Sequence, residues 1–184
     1  MPHLIGPRIH LREYREDDFS AIRSWINDPE VASHLSPIFD RVQTEAMTRT
    51  YVDDVLHNRI PGHRFIVADR DSDRYIGQVD LRTTDDPSHQ ASLAIVIPRR
   101  EDRGQGYGRE ALTLLLDFAF DRLNLHKVWL EVFAANAPAI ALYESLGFSR
   151  DGVLREDVYR DGRYLDMYLM AVLAREWRGR RRDT

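Results

Sequence analysis

Three glycines follow an arginine in the segment Arg103-Gly104-Gln105-Gly106-Tyr107-Gly108, near the middle of the 184-residue chain. A strand pattern, Ala91 to Ile97, precedes this segment, and an amphipathic helix pattern follows it. Such a turn presents backbone N–H groups at a helix N-terminus, where the helix dipole adds partial positive charge and glycine lets an anion approach closely. The segment therefore predicts an anion site, to which Arg103 and Arg109 could add charge.

Other interpretations of this glycine turn are open. A capping turn without a ligand would use the same residues. A P-loop needs lysine and then Ser or Thr after its last glycine, whereas Arg109-Glu110 follows here. A dinucleotide fingerprint needs G-x-G-x-x-G at the first turn of a βαβ unit, and this turn has G-x-G-x-G in mid-chain. Both nucleotide motifs are disfavoured, although a nucleotide-binding protein that uses the same turn stays a hypothesis.

After the turn, apolar residues at helical spacing predict a helix with one buried face: Ala111, Leu112, Leu115, Leu116, Ala119 and Phe120. The next elements are a strand at Val128 to Phe133 and a short helix at Ala137 to Ser145, with Gly147 as its left-handed cap. Two final strands, near Gly152 to Tyr159 and Arg163 to Leu173, are joined by a D-G hairpin turn.

Before the turn, a short strand at Ile9 and Leu11 precedes two helices. The first carries Phe19, Ile22, Trp25 and Ile26, and the second, from Thr44 to about Asn58, carries Met47, Tyr51 and Val55 as its apolar stripe. Three strands then form an antiparallel meander: Arg64 to Ala68, Tyr75 to Leu81, and Ala91 to Ile97. This order of elements predicts an α/β fold with a single mixed, mostly antiparallel sheet flanked by helices.

The composition sets further limits. With 43% apolar residues, the chain is expected to form one domain, residues 1–175. A basic tail at 176–184 follows, for which disorder is a possible state. The net charge of -4 does not provide the basic field that nucleic acid as the main ligand requires. No cysteine and no paired histidine spacing occur, so we expect no metal. No signal-peptide pattern or long apolar span occurs either, so we expect a cytoplasmic protein without membrane contact.

Two motifs in the second half of the chain carry a family resemblance. The pattern R-x-x-G-x-G at Arg103 to Gly108 resembles the coenzyme A signature of the GCN5-related N-acetyltransferase (GNAT) superfamily, and Trp129 to Phe148 resembles its strand–helix block. The resemblance extends to Ile9-His10-Leu11-Arg12, Asn27 to Val31 and Asp161 to Asp166, and the nearest branch is the bacterial ribosomal-protein and polyamine acetyltransferases. The segment Pro98 to Asp102 departs from the usual pattern, which leaves the register between strand and turn open.

This resemblance implies the acyl-CoA N-acyltransferase fold, with a sheet splayed between the strand that ends at Ile97 and the strand that carries Glu131. It implies an N-acetyltransferase that moves an acetyl group from acetyl-CoA, as co-substrate and without a metal, to a primary amine by direct attack in a ternary complex. The acceptor would be a protein or peptide N-terminus, a polyamine or another small amine. For the assembly it points to a homodimer, although no feature of the sequence marks an interface.

The resemblance also assigns residues. Main-chain groups of Val96 and Ile97 would pair with the pantetheine arm. Tyr143 would be the general acid for the thiolate and would also contact the cofactor, and Asn136 would hydrogen-bond the pantetheine. The other cofactor-binding residues would be Arg103, Gly104, Gln105, Gly106, Tyr107, Gly108 and Arg109. Tyr143 could instead be a packing tyrosine, and Asn136 a helix N-cap.

The general base and the acceptor wall are less constrained. Glu131 occupies the family's catalytic glutamate position, and a partly desolvated Glu131 could accept the amine proton, but a solvent-facing strand glutamate fits equally. Asp80 is the second candidate for the base, with a surface role as its alternative. The acceptor side is expected to draw on aromatic residues and acids that could also be ordinary packing or surface residues: Trp25, His34, Phe39, Tyr159, Tyr164, Asp40, Glu156 and Asp157.

A protein from a different class would use the same fold without turnover. A non-catalytic acyl-CoA sensor or interaction protein would keep the glycine turn but would not depend on Tyr143 for any activity.

Overall fold

A computed structural model describes residues 4–83 and 87–180, and it contains one eight-stranded sheet with helices on both faces. In chain order the elements are β1 (Leu4–Ile5), β2 (Ile9–Arg12), α1 (Asp18–Trp25), α2 (Pro29–Ala32), α3 (Glu45–Leu56), β3 (His63–Asp69), β4 (Tyr75–Thr83), β5 (Gln90–Val96), α4 (Tyr107–Asp117), β6 (Lys127–Phe133), α5 (Ala137–Ser145), β7 (Ser149–Arg160), β8 (Arg163–Leu173) and α6 (Ala174–Arg180). Short 3-10 turns lie at Pro37–Asp40 and Arg100–Asp102, and a π-turn at Phe118–Arg122 extends α4.

The strands are ordered β1-β2-β3-β4-β5-β6-β8-β7. Between the described strands every neighbouring pair is antiparallel except β5 and β6, which are parallel. Because a parallel pair needs a crossover connection, α4 lies between these two strands in the chain and packs on the sheet. The predicted α/β class and the mixed, mostly antiparallel sheet are confirmed.

Strand alternation divides the interior into two cores on opposite faces of the sheet. Phe65 and Val67 of β3 pack into the main core beneath α4, while Ile66 and Ala68 pack into a second core with α1 and α3. The predicted buried face of α4 is confirmed, because its six apolar residues are completely buried: Ala111, Leu112, Leu115, Leu116, Ala119 and Phe120. The two faces of the sheet therefore carry separate sets of packed side chains.

The predicted apolar stripe of α3 is confirmed for Tyr51 and Val55, which pack against the second core, and is wrong for Met47. Thr48 and Val52 are buried, whereas Met47 is 47% exposed. A threonine can occupy the buried position because its hydroxyl donates to the carbonyl of Thr44 within the same helix. The Thr44 side chain also accepts from the Met47 amide, so Thr44 caps the N-terminus of α3, and the predicted start of this helix is confirmed.

The predicted tail at 176–184, outside a domain ending at 175, is wrong for its first five residues. They belong to α6, whose Trp177 is only 5% exposed and donates from Nε1 to Oδ1 of Asp117 at 2.9 Å. Arg178 adds a hydrogen bond to the carbonyl of Phe120. Burial of one large aromatic side chain holds this helix on the main core despite its basic composition. Residues 181–184 lie outside the described part of the chain.

Two short elements have no counterpart among the predictions. β1 contains two residues and α2 contains four, so neither is long enough to show a period. Asp28 caps α2 by accepting from the amide of Glu30, with Pro29 as the first helical residue. The Asp28-Pro29 pair follows α1 closely, so it separates the two helices and starts the second one.

Candidate active site

A gap opens in the sheet between β5 and β6. The two strands pair over three residues, from Gln90↔Lys127 to Ser92↔Trp129, and the pairing ends there. Beyond that point the described pairing of β5, up to Val96, is with β4 alone. Alternate residues of this segment therefore direct backbone groups toward the gap, where an extended amide-bearing molecule could pair with them as an added strand. The predicted splay is confirmed.

The glycine turn lies at the C-terminal end of β5 and begins α4. Gly104 and Gly106 have φ of +72° and +86°, values that residues with a Cβ rarely adopt. Gly106 is the N-cap of α4 without a side-chain cap, and within the described residues no backbone carbonyl accepts from the amides of Gly104, Gln105 or Gly106. These N–H groups fit an anion such as the pyrophosphate of coenzyme A.

Arg103 braces the end of β5. Its Nε donates to the carbonyl of Ile97 at 3.0 Å and its Nη2 to the carbonyl of Pro98 at 2.7 Å. The expectation that the main chain of Ile97 is free is therefore wrong for its carbonyl oxygen. The carbonyl oxygen of Val96 is also turned away, because it lies against Gly77 of β4, where a Cβ would approach it to 2.2 Å. Pantetheine pairing through these residues stays a prediction for their remaining backbone groups.

Arg109 reaches toward α5 and donates from Nη2 to Oγ of Ser145 at 2.8 Å. Direct contact of Arg103 or Arg109 with a bound anion therefore stays a prediction, since both guanidinium groups already have protein partners.

Two further arginines hold the turn, and neither role was predicted from the sequence. Arg8 donates from Nη1 to the carbonyl of Gln105 at 2.8 Å and pairs with Glu110 of α4 at 3.0 Å. Arg74 forms two hydrogen bonds of 2.8 Å with Asp102, which is buried just before the turn. A bidentate pair of this kind fixes orientation as well as distance. The turn is thus preorganised by side chains from the connections that precede β2 and β4.

Tyr143 of α5 is buried in the main core, and its ring centroid lies 5.7 Å from that of Phe148. Its hydroxyl makes no hydrogen bond with the described residues, and its burial raises the pKa of Tyr143 to about 12. The phenol therefore carries its proton at neutral pH, as a proton donor must. Packing and a role as general acid are compatible for this residue, and the second stays a prediction.

Asn136 is the N-cap of α5, because its Oδ1 accepts from the amide of Ala139 at 3.3 Å. This confirms the structural alternative for the residue. Its side-chain amide nitrogen has no partner within the described residues, so a contact from Nδ2 to a pantetheine arm stays a prediction.

Asp80 of β4 is 7% exposed, which excludes the surface role considered for it. Burial raises the pKa of Asp80 to about 6, while the nearby charges of Arg64 and Arg82 act in the opposite direction. Its Oδ1 is buried without a hydrogen-bond partner. A buried carboxylate that titrates near neutral pH and has an unused oxygen is a candidate proton acceptor.

The position of Asp80 connects it to the gap. It lies opposite Ala94 of β5, within the segment of β5 that is not paired with β6. Asp80 lies opposite Arg64 on β3, and Arg64 shares a face with Ile66 because the two are separated by one residue. The side chain of Asp80 is therefore on the face that packs against α1 and α3. Ala94 is small, so little side-chain volume separates the carboxylate from the gap on this face.

Glu131 of β6 points to the same face but is exposed, which supports the alternative of a solvent-facing strand glutamate. The residues that flank it on the strand, Leu130 and Val132, are buried in the main core on the other face. Solvent around Glu131 removes the physical reason that would make it the stronger base.

The predicted acceptor wall is only partly assembled. Trp25 is a core residue whose Nε1 donates to the Tyr75 hydroxyl at 3.0 Å, with Phe39 packed against it. Tyr159 and Tyr164 pack against each other at the exposed tip of the last hairpin. The remaining predicted residues are exposed, and one of them, Asp40, pairs with Arg160: His34, Asp40, Glu156 and Asp157.

A cavity of about 190 Å³ lies on this face between α1 and the segment from Pro98 to Arg103. Its lining carries the acids Asp28 and Glu30 together with three arginines. Neither Asp80 nor Tyr143 borders it, so the cavity is separate from the two groups that could move protons.

Two classes of site are not found within residues 4–83 and 87–180. No group of three or more His, Asp or Glu side chains is placed to hold a metal ion. No described helix has the length and apolar character needed to cross a membrane.

Comparison with known proteins gives a consistent result. The family model for the acetyltransferase (GNAT) domain matches residues 8–149. The spermidine N(1)-acetyltransferase of Vibrio cholerae is 36% identical over 178 residues, which cover 96% of this chain and 99% of that protein. The uncharacterized N-acetyltransferase p20 of Bacillus licheniformis is 29% identical over 181 residues, which cover 97% of this chain and 100% of that protein.

Among solved structures, spermidine N-acetyltransferase from Vibrio cholerae in complex with CoA and spermine matches with a TM-score of 0.82 at 28% identity, covering 94% of this chain and 99% of that one. Spermidine N-acetyltransferase from that organism has also been solved with manganese ions and as a dodecamer. For the present chain, the expected homodimer and the expected absence of a metal therefore both stay predictions.

Proposed function

The chain belongs to the acetyltransferase (GNAT) family, and we propose that it acetylates a primary amine of a small molecule by direct attack in a ternary complex with acetyl-CoA. The family makes it an acetyl-CoA-dependent N-acetyltransferase. The identity of the amine and the roles of individual residues are the proposed part.

The observation that supports the proposal is that a buried tyrosine and a buried carboxylate lie on opposite faces of the sheet that this gap divides. Tyr143 belongs to the main core on the α4 face, and Asp80 lies on the face of α1 and α3. The unpaired segment of β5 is adjacent to Asp80, and the turn that follows this segment begins α4. An amine could enter from one face while a thiolate leaves toward the other.

Bound acetyl-CoA would supply a thioester carbonyl that an amine attacks, with the thiolate as the leaving group. The amides of the glycine turn would hold its pyrophosphate, and the free backbone groups of β5 would orient its amide-bearing arm. The protein thus fixes the position of the reacting carbon through backbone atoms.

Asp80 would accept the proton of the incoming ammonium group at its unpaired Oδ1, directly or through a water molecule. Its raised pKa makes it a stronger base than an exposed aspartate, yet it is still mostly ionised at pH 7. Tyr143 would hold the proton that the departing sulfur needs, because its own pKa keeps the hydroxyl protonated. One proton is taken up and one is given, on opposite faces.

The relatives favour a polyamine as the first acceptor to test, since a protein with which this chain shares 36% identity is named a spermidine N(1)-acetyltransferase. Glu156 and Asp157 add exposed negative charge near the end of β6. Asp166 links the two segments, because its carbonyl accepts from the Ala134 amide and its Oδ1 accepts from the Glu156 amide. Such charge would favour the approach of a cationic amine.

The test measures thiol release from acetyl-CoA with spermidine, spermine and a peptide with a free N-terminus as separate acceptors. We expect release with at least one of the two polyamines and a rise in melting temperature with acetyl-CoA alone. Release with the peptide only would overturn the choice of a small amine. No thermal shift at millimolar acetyl-CoA would contradict cofactor binding itself.

Tyr143→Phe separates an enzyme from an acyl-CoA sensor. Loss of the hydroxyl should lower kcat by about 100-fold or more, with the acetyl-CoA thermal shift preserved. Tyr168→Phe is the matched control, because Tyr168 is a β8 residue whose ring packs under Arg150 and whose hydroxyl has no assigned role. Equal activity of the wild type and Tyr143→Phe would remove Tyr143 as the general acid. A thermal shift with acetyl-CoA but no wild-type activity with any of the three amines would favour the sensor.

A further inference from the structure

Arg160, the last residue of β7, makes a cluster of contacts with a distant segment of the chain. Its guanidinium donates to the carbonyls of Ser33 and Leu35, the latter at 3.2 Å, and pairs with Oδ1 of Asp40 at 2.7 Å. The same group lies over the ring of Phe133, 4.7 Å from its centroid. The side chain is 10% exposed, although it projects from the end of a hairpin.

These contacts span the gap between β5 and β6. The segment 33–40 is anchored on the β1–β5 side, because Leu35 and Phe39 pack into the second core with α1 and α3. Phe133 ends β6 on the opposite side of the gap and packs with residues of the closing hairpin. Phe133 is two residues from Glu131 on β6, so both side chains lie on the face of the sheet that carries Asp80, which is the proposed acceptor side. Arg160 therefore connects the two parts of the sheet, on either side of the gap, on that face.

Stability alone explains this arrangement poorly. Burying a guanidinium costs free energy that its ion pair and hydrogen bonds offset only when every donor is satisfied. Here Nε of Arg160 is buried with no partner among the described residues. Two of the other contacts are to backbone carbonyls of an irregular segment, which a guanidinium fork positions more firmly than a single hydrogen bond would.

We infer that Arg160 is a positioning residue for the acceptor amine: it holds segment 33–40 against the end of β6, so that the segment forms a wall of the acceptor entrance. The inference rests on the proposed function, since it concerns the amine side of the same gap. It does not involve the glycine turn, so cofactor binding should be independent of Arg160.

The test compares Arg160→Ala, Arg160→Lys and Asp40→Asn in the full chain. With spermidine as the acceptor, Arg160→Ala should raise the KM for spermidine about tenfold and change the KM for acetyl-CoA less than twofold. Arg160→Lys should lie between, because an ammonium can pair with Asp40 but cannot also bond two carbonyls in one plane. Arg163→Ala is the control on the same hairpin, because its side chain is exposed and makes no hydrogen bond within the described residues. Equal rises in both KM values would overturn the inference.

Hydrogen exchange of the amides in 33–40 keeps the test independent of the acceptor. Exchange should accelerate at least tenfold in Arg160→Ala and remain unchanged in Arg163→Ala. Unchanged exchange in Arg160→Ala would overturn the positioning role even if the enzyme is active. If the wild type acetylates none of the amines, the proposed function fails and the acceptor role of Arg160 falls with it, whereas the exchange data still decide whether Arg160 holds the segment.

Discussion

The proposed cofactor side and the proposed acceptor side of the gap are built from different kinds of groups. The cofactor side consists largely of backbone groups from one continuous stretch, from the unpaired part of β5 to the first turn of α4. The acceptor side consists of side chains from distant parts of the chain, and the contact between Arg160 and Ser33 joins residues 127 positions apart.

This difference has a consequence for specificity. A site made of backbone N–H and C=O groups can be kept by many sequences, provided that the glycines and the strand geometry remain. A site made of side chains changes its ligand when a few residues change. Under the proposed function, binding of the acetyl donor would depend on backbone geometry, and the choice of acceptor would depend on these side chains.

The largest effect should come from the acceptor side. Asp80→Asn keeps the shape of the side chain but removes the proton acceptor, so we expect kcat to fall about 1000-fold, within the range for general-base catalysis. The acetyl-CoA thermal shift should be unaffected. In the wild type, kcat/KM should fall about tenfold per pH unit below pH 6, because protonation of Asp80 removes the base.

Asp17→Asn serves as the control, since Asp17 is exposed and makes no side-chain cap on α1. A fall in kcat of less than about tenfold in Asp80→Asn would remove Asp80 from the mechanism, because even modest general bases contribute more.

The same substitution should stabilise the fold at high pH. The folded-state pKa of Asp80 is raised to about 6 from 3.8, so its stabilising contribution is complete below pH 3.8 and is lost as the pH rises to 6. The buried ionised carboxylate then lowers the free energy of unfolding by about 3 kcal/mol at pH 8, and a neutral Asn does not have this effect. Urea unfolding of both proteins from pH 4 to pH 8 should show a gain for Asp80→Asn that grows up to pH 6. A pH-independent difference would contradict the raised pKa.

On the cofactor side, Gly106→Val should abolish the acetyl-CoA thermal shift and lower kcat/KM about 100-fold, because a small displacement of the turn misplaces the reacting carbon. Valine at φ +86° is strained, and its Cβ would lie 3.0 Å from Nη2 of Arg8. Gly152→Ala is the control, since a Cβ there meets nothing within 4 Å. Retained cofactor binding in Gly106→Val would show that the turn is only a helix cap.

The smallest effect is expected for Glu131→Gln. Because Glu131 is exposed and Asp80 carries the buried carboxylate, kcat should change less than about threefold. A loss comparable to that of Asp80→Asn would reverse the two assignments and return the base to β6. Steady-state rates at pH 8 and saturating acetyl-CoA decide between them.

The cofactor side was largely predictable because its signals are local. The glycine turn, the buried face of α4 and the bounds of α5 with Gly147 as a left-handed cap all appear in the sequence and in the structure. The splay needed the family resemblance in addition, because strand patterns alone do not say where a parallel pair ends.

The acceptor side was poorly predictable because its residues have no sequence spacing in common. Asp80 resembles a surface residue of a half-exposed strand until α1 and α3 cover it. Arg160 resembles a hairpin-tip charge until segment 33–40 reaches it. The bracing of the turn by Arg8 and Arg74 was missed for the same reason.

By itself, the sequence determined what depends on neighbours along the chain: the backbone conformation of the glycine turn, the helix caps, and the apolar periodicity that places α4 on the sheet. The tertiary structure alone decided what depends on neighbours in space: which carboxylate is buried, which arginines brace the turn, and which residues connect the two parts of the sheet across the gap. Burial sets the proton affinity of a carboxylate, and burial is a property of the packed chain.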